Sequence, residues 1–166
     1  MDKTDLRILD LLQGDASRST AEIAEAVGLS PSPCWRRISL LEESGVIRKR
    51  VALLDRDKLG LSVTVIVSVR LTTHGRQSLA DFEERVRTFP QVIQCFTVMG
   101  AIDFVLTVVT TDIRAYERFM REDLSQLPGV QGIESNIVMT AIKDTTALPL
   151  ELVAPGGESR RPAPAP

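Results

Sequence analysis

Cysteine and histidine are nearly absent: Cys34, Cys95 and His74 are the only ones in 166 residues. Two distant cysteines do not make a disulfide framework, and the pattern suits the reducing cytoplasm, where the chain is expected to work. Neither cysteine has a neighbour at metal-ligand spacing, so neither a metal site nor a cofactor is expected. Long apolar runs are missing as well. None approaches the ~20 residues that span a bilayer. The opening MDKTDLRILD mixes charges with leucines and lacks the apolar core of a signal peptide, so no membrane partner is expected. A glycine-rich phosphate loop and a nucleophile elbow are also lacking. The acidic pair Glu83-Glu84 lies on an amphipathic helical stretch and reads as a solvated face. His74 falls in a turn and reads as a loop residue, so no catalytic residue is assigned.

What remains is the material of a globular protein, 43% hydrophobic and 25% charged, enough to build the core of one ordinary domain or two small ones. A net charge of −2 excludes a protein that coats nucleic acid non-specifically. The charge is unevenly spread, however. Between Trp35 and Arg50 stand Arg36, Arg37, Arg48, Lys49 and Arg50 against only Glu42 and Glu43. A local basic patch on an acidic chain suits a sequence-specific binder whose other domain has another task.

Residues 4–13 repeat Leu6, Leu9 and Leu12 at helical spacing, and Gly14-Asp15 stops them. Ser19-Thr20-Ala21-Glu22 is a capping box that opens a second helix, carrying Ile23, Ala24 and Val27 and ending at Gly28. Ser30-Pro31-Ser32-Pro33 starts a third, with serine as cap and proline in the first turn. Cys34, Ile38 and Leu41 share its inner face, which makes Cys34 a small core residue. Trp35, Arg36 and Arg37 lie off that face. Val46–Leu54 reads as a basic β-ribbon holding Arg48, Lys49 and Arg50. Three short helices with a basic hairpin after them make a winged helix-turn-helix over residues 1–54. Its third helix enters the major groove of double-stranded DNA. The Ser30-Pro31-Ser32-Pro33 cap leaves the hydroxyls and amides of its serines for phosphates, with Pro33 among the expected DNA contacts. An outward Trp35 packs on the wing or on the DNA backbone, an alternative the sequence leaves open.

The polar stretch 55–60 is the linker. Leu61–Leu71 alternates as a strand, 77–88 is an amphipathic helix, Val92–Met99 and Ile102–Thr110 are strands joined at Gly100-Ala101, Asp112 caps a helix, and Gly132–Ala141 is a last strand. The order β-α-β-β-α-β over 61–153 is the ferredoxin-like arrangement, which makes the fold class α+β. Two helices cover one sheet face only. The third strand is nevertheless apolar on both sides, with Ile102, Phe104, Leu106 and Val108 on one and Val105 and Val109 on the other. The second offers Ile93, Cys95 and Met99 against Val92, Phe96 and Val98. An uncovered apolar face calls for a second copy of the chain, so at least a dimer is expected. The Pro/Gly/Ala-rich end, 154–166, is expected to be disordered.

The strings MDKTDLRILDLLQGDAS, AEAVGLSPSPCWRRISLLEESGVI, VALLDRDKLGL, VMGAIDFVLTVV and IKDTTALPL, in this order and spacing, resemble the Lrp/AsnC family of feast/famine transcriptional regulators across residues 2–151. The resemblance implies a winged helix-turn-helix ahead of a ligand-gated βαββαβ domain. It also implies dimers that assemble further, to tetramers or octamers, and an amino acid or related metabolite as effector, bound between dimers. The family's effector loop, usually Gly-Asp-aromatic-Asp, is here Gly100-Ala101-Ile102-Asp103, so the outer residues match and the inner two do not. The opposing wall of the pocket falls on Ser135 and Asn136. Cys34-Trp35-Arg36-Arg37 is similar to a subgroup that includes regulators responding to cysteine.

Two other classes compete. Siroheme decarboxylases share this two-domain architecture, but their chemistry would be expected to use histidines, and this chain has one. A DNA-free amino-acid-binding module would leave the arginines of the third helix idle.

Overall fold

The structure, a computed structural model, describes residues 1–72 and 75–153, with only the backbone for 75–78. His74 and the expected disordered end at 154–166 lie outside the described residues. The chain divides into two compact units, one built from Met1–Leu53 with the C-terminal segment from Lys143, the other from Leu54–Ile142. The segment 143–153, which the sequence reading assigned to the second domain, thus groups with the first.

In the first unit, α1 (Lys3–Gly14), α2 (Thr20–Val27) and α3 (Pro31–Glu43) form the expected three helices. Both leading caps are reciprocal. The Asp2 carboxylate accepts from the amides of Thr4 and Asp5 while the Asp2 amide donates to Asp5. Ser19 and Glu22 form the predicted box in the same way. Gly28 ends α2 at φ +70°, a left-handed conformation that an L side chain would strain. Ile8, Leu12, Ile23, Ala24, Cys34, Ile38 and Leu41 seal the core between the helices. The Gln13 side-chain amide holds the returning C-terminal segment, donating to the Leu148 carbonyl at 3.1 Å and accepting from the Leu148 amide at 2.9 Å.

Two expectations change in this unit. Ser30 precedes α3 but makes no side-chain cap; Pro33, at the third helical position, has no amide for it to serve. The stretch 46–54 contains no β-strand. After the Ile47 amide bonds Leu41, residues 48–54 make no backbone–backbone hydrogen bond among the described residues. A ribbon needs two antiparallel strands joined by a tight turn, and 46–54 has neither a Gly/Asn turn nor a second arm.

The second unit is a four-stranded antiparallel sheet of β1 (Val63–Leu71), β2 (Val92–Thr97), β3 (Phe104–Thr110) and β4 (Val130–Ile137), in spatial order β2-β3-β1-β4. Helices α4 (Gly75–Val86) and α5 (Ile113–Glu122) supply one covering layer. This is the ferredoxin-like topology read from the element order. Val65, Val67, Val69, Leu106 and Val108 are fully buried against Phe82, Phe119 and Leu124. Phe82 stacks on Phe104 with ring centroids 4.5 Å apart. Burying such a ring contributes about 1.5–3 kcal/mol.

A bulge between Val92 and Gln94 corrects the faces assigned to the second strand. The extra residue, Ile93, reverses the alternation, so Val92 and Cys95 both pack on the helix-covered core and Phe96 turns to the open face. That open face carries the half-buried Ile66 of β1 and Val105 of β3, with Phe96 54% exposed at its edge.

Candidate functional site

Helix α3 is two-faced. Cys34, Ile38 and Leu41 are sealed inward, and desolvation pushes the Cys34 thiol up, which makes it an inert core group. Ser32, Pro33, Trp35 and Arg36 are exposed on the outer side of its first two turns, Trp35 by 63%. Arg36 makes no hydrogen bond or ion pair among the described residues, and neither do Arg48 and Lys49. Their charge is therefore available to an anion.

Arg37 and Arg50 are placed differently. Arg37 Nη1 donates to Asp2 Oδ2 at 2.8 Å and to Asp5 Oδ1 at 2.6 Å, fastening α3 to the N-terminal turn of α1. The Asp5 amide, assisted by Arg37, holds the Asp2 carboxyl below its ordinary range. Arg50 reaches back to Glu42 at 2.9 Å, an exposed pair. The sequence reading missed the acidic partner of Arg37, although Asp2-x-x-Asp5 is a recognisable cap. Ser30 is exposed at the start of the helix.

At one end of the sheet residues 98–103 join β2 to β3, with Gly100 at φ +151°. Side chains and backbone pin this loop to the end of β1. The Asp103 amide donates to the Val69 carbonyl at 2.9 Å, and the Leu71 amide donates to Asp103 Oδ2 at 2.7 Å. Arg70 Nε donates to the Ala101 carbonyl at 3.2 Å. Asp103 thus caps a strand end with one carboxylate oxygen. Gly100 and Ala101 are exposed, Ile102 and Asp103 half-buried.

Strand alternation separates the two residues expected on the opposing wall. Ser135 pairs with Val67 on the helix-covered side, where its hydroxyl bonds the Tyr116 hydroxyl. Asn136 pairs with Ile66 on the open side. Within one chain these two do not converge on a single pocket. Arg70 was passed over in the sequence; its signal was a charge at the last outward position of an otherwise uncharged strand.

Both halves have known counterparts. Residues 1–48 match the winged helix-turn-helix DNA-binding family, and residues 64–148 match the Lrp/AsnC ligand binding domain. The chain belongs to the Lrp/AsnC family. It is a transcriptional regulator of that type, similar over its length to relatives of the same kind. It is 37% identical over 151 residues to the transcriptional regulator AzlB of Bacillus subtilis, covering 91% of this chain and 96% of that one. An AsnC-family transcriptional regulator from Agrobacterium tumefaciens superposes with a TM-score of 0.87 at 43% identity, covering 92% and 99%. A transcriptional regulator from Neisseria meningitidis, solved with L-Met, gives 0.89 at 37% identity with the same coverage. No described helix of this Lrp/AsnC regulator is long and apolar enough to cross a membrane.

Proposed function

We propose that this Lrp/AsnC regulator acts in the cytoplasm as a dimer, assembling further to tetramers or octamers, and reads a two-fold operator with α3. The observation that carries the reading is the division of that helix. Its inner face is sealed by Cys34, Ile38 and Leu41, while Ser32, Pro33, Trp35 and Arg36 stand outward, and Arg36 makes no hydrogen bond or ion pair among the described residues. An exposed guanidinium follows an exposed indole in the first two turns of this helix. It suits a base edge or a phosphate oxygen. Arg48 and Lys49 follow in the next segment and supply further phosphate contacts.

The dimer rests on the open sheet face, where Ile66, Val105 and Phe96 lie without a covering layer. An exposed apolar sheet face is costly in water, and an isologous contact between two copies removes it. The effector is an amino acid or a close relative of one, a reading supported by the L-Met complex of the Neisseria regulator, and it acts at loop 100–103 with residues of β4. The task is binding, with no chemical step assigned to any residue.

A gel shift on genomic fragments at graded salt tests the DNA reading. Retention should fall steeply as salt rises and should be strongest for a few fragments with two-fold symmetric sites. Absence of any salt-sensitive shift would leave a DNA-free binding module as the answer.

A further inference from the structure

We propose that Arg70 anchors the effector's carboxylate, and that the ligand of this chain is recognised first as an anion at the loop between β2 and β3. The inference rests on the effector reading above and names the group that does the recognising. Four observations carry it. Arg70 is exposed at the end of β1, and its single hydrogen bond among the described residues runs from Nε to the Ala101 carbonyl. That bond uses one of the five donors of a guanidinium and steers the planar group along the loop, leaving Nη1 and Nη2 for a bidentate partner.

The strand register supplies room. Arg70 sits opposite Gly132 of β4, where a Cβ would meet nothing within 4 Å, and Gly100 is equally open. Neither glycine contributes a side chain there; on the β3 side the next residue along from the Val69–Phe104 pair is Asp103, which forms no ion pair with Arg70 among the described residues. The guanidinium's nearest same-face anion on β4, Glu134, lies two positions along from Gly132 and forms no ion pair with it among the described residues. Asp103, the loop's own carboxylate, already accepts the Leu71 amide through Oδ2. Arg70 is exposed where Asp103 is half-buried, so the charge most open to solvent at this end of β1 is the positive one.

A charge-assisted, bidentate contact is the strong kind, and its loss reads as about a 10- to 100-fold fall in affinity. The test is calorimetric titration of the full chain with each free L-amino acid and with its α-amide, which lacks the carboxylate charge. The series is repeated on Arg70→Ala, Arg70→Gln and Arg70→Lys, each checked for an unchanged melting curve. Wild type should bind at least one free amino acid and lose it by tenfold or more, roughly, when the carboxylate is capped. Arg70→Ala and Arg70→Gln should both lose that affinity, and Arg70→Lys should keep part of it.

Glutamine is the informative variant. It can still donate to the Ala101 carbonyl but carries no charge, so binding restored by Arg70→Gln would mean that residue 70 only fastens the loop. Binding unchanged in Arg70→Ala, or equal for the acid and its amide, would likewise overturn the assignment while leaving the amino-acid effector intact. If wild type binds no amino acid at all, the effector reading itself falls and this inference with it.

Discussion

Removing the Asp103 carboxylate should destabilise the second unit, because its first partner is the chain itself. Asp103 Oδ2 receives the Leu71 amide at 2.7 Å, and Leu71 is only 8% exposed. In Asp103→Ala that amide loses its acceptor at a strand end that water reaches poorly. An unsatisfied donor in such a place costs about 1–3 kcal/mol. The bonds from the Asp103 amide to Val69 and from the Val98 amide to the Asp103 carbonyl persist, since they involve backbone alone. The lower half of the range, about 1–2 kcal/mol, is therefore expected. For a domain of this size each kcal/mol moves the melting temperature by about 4–8 °C, so a fall of roughly 5–15 °C should appear in a calorimetric scan at neutral pH. Asp103→Asn retains a carbonyl oxygen that can accept from Leu71, and should lose less than half as much. A melting temperature for Asp103→Ala within about 2 °C of wild type would refute the argument. Joined to a loss of effector binding, that result would make Asp103 a ligand group and not a strand cap.

Neighbouring arginines on α3 should behave differently. Arg36→Ala should weaken operator binding by about 1–3 kcal/mol if it meets a base, with an unchanged melting curve. Arg37→Ala should lower the melting temperature of the first unit, because it frees α3 from Asp2 and Asp5; equal melting curves for both variants would contradict the pairing. Residues 54–142 expressed alone should sediment as a dimer and shift no DNA, and a monomer would remove the case for an interface on the open sheet face. Acidification should destabilise the folded chain. Asp2, Glu22 and Asp112 are held below their ordinary ranges by hydrogen bonds from the Asp5 amide, from the Ser19 hydroxyl and from the Ala115 amide, respectively. Depressed carboxylates add stability that is complete above the unfolded values near pH 4 and is lost as pH falls through the folded ones. Melting temperature should thus drop below about pH 4, less steeply in Glu22→Gln, and a flat profile there would contradict the caps.

The helices of the first unit were legible because their signals are local. A capping box needs two residues three apart, a glycine stop needs one, and the Cys34, Ile38, Leu41 spacing assigns the inner face unaided. The order of the second unit was legible for the same reason, since each strand alternates and each helix has its own apolar stripe. What could not be read are the contacts made across distance. Nothing near Arg37 announces that its partners stand 35 and 32 positions earlier, at Asp2 and Asp5. Likewise, Gln13 meets Leu148 after 135 residues. The bulge at Ile93 escaped because a single inserted residue leaves the hydrophobic content of a strand unchanged while reversing its faces.

The places where sequence and structure part company also share a physical character. Among the described residues, 48–54 leave their backbone without backbone partners, Asn136 and Phe96 look outward from the open sheet face, and Arg70 stands opposite Gly132 with its guanidinium on the loop. Each is a locally unsatisfied arrangement in a chain whose helices and core otherwise follow the local rules closely. Such breaks are expected where a protein must meet something else, because the missing partner is supplied on binding. In this chain they fall into three kinds that call for three partners. Unpaired cations beside an exposed indole suit a polyanion, apolar sheet surface suits its own copy, and a cation in an open, glycine-flanked corner suits a small carboxylate. A regulator that must sense a metabolite, assemble and hold DNA needs these three surfaces, and it needs them to be separable so that each can be broken alone. Arg36→Ala, a change at Phe96 and Arg70→Gln are the three single substitutions that would do so.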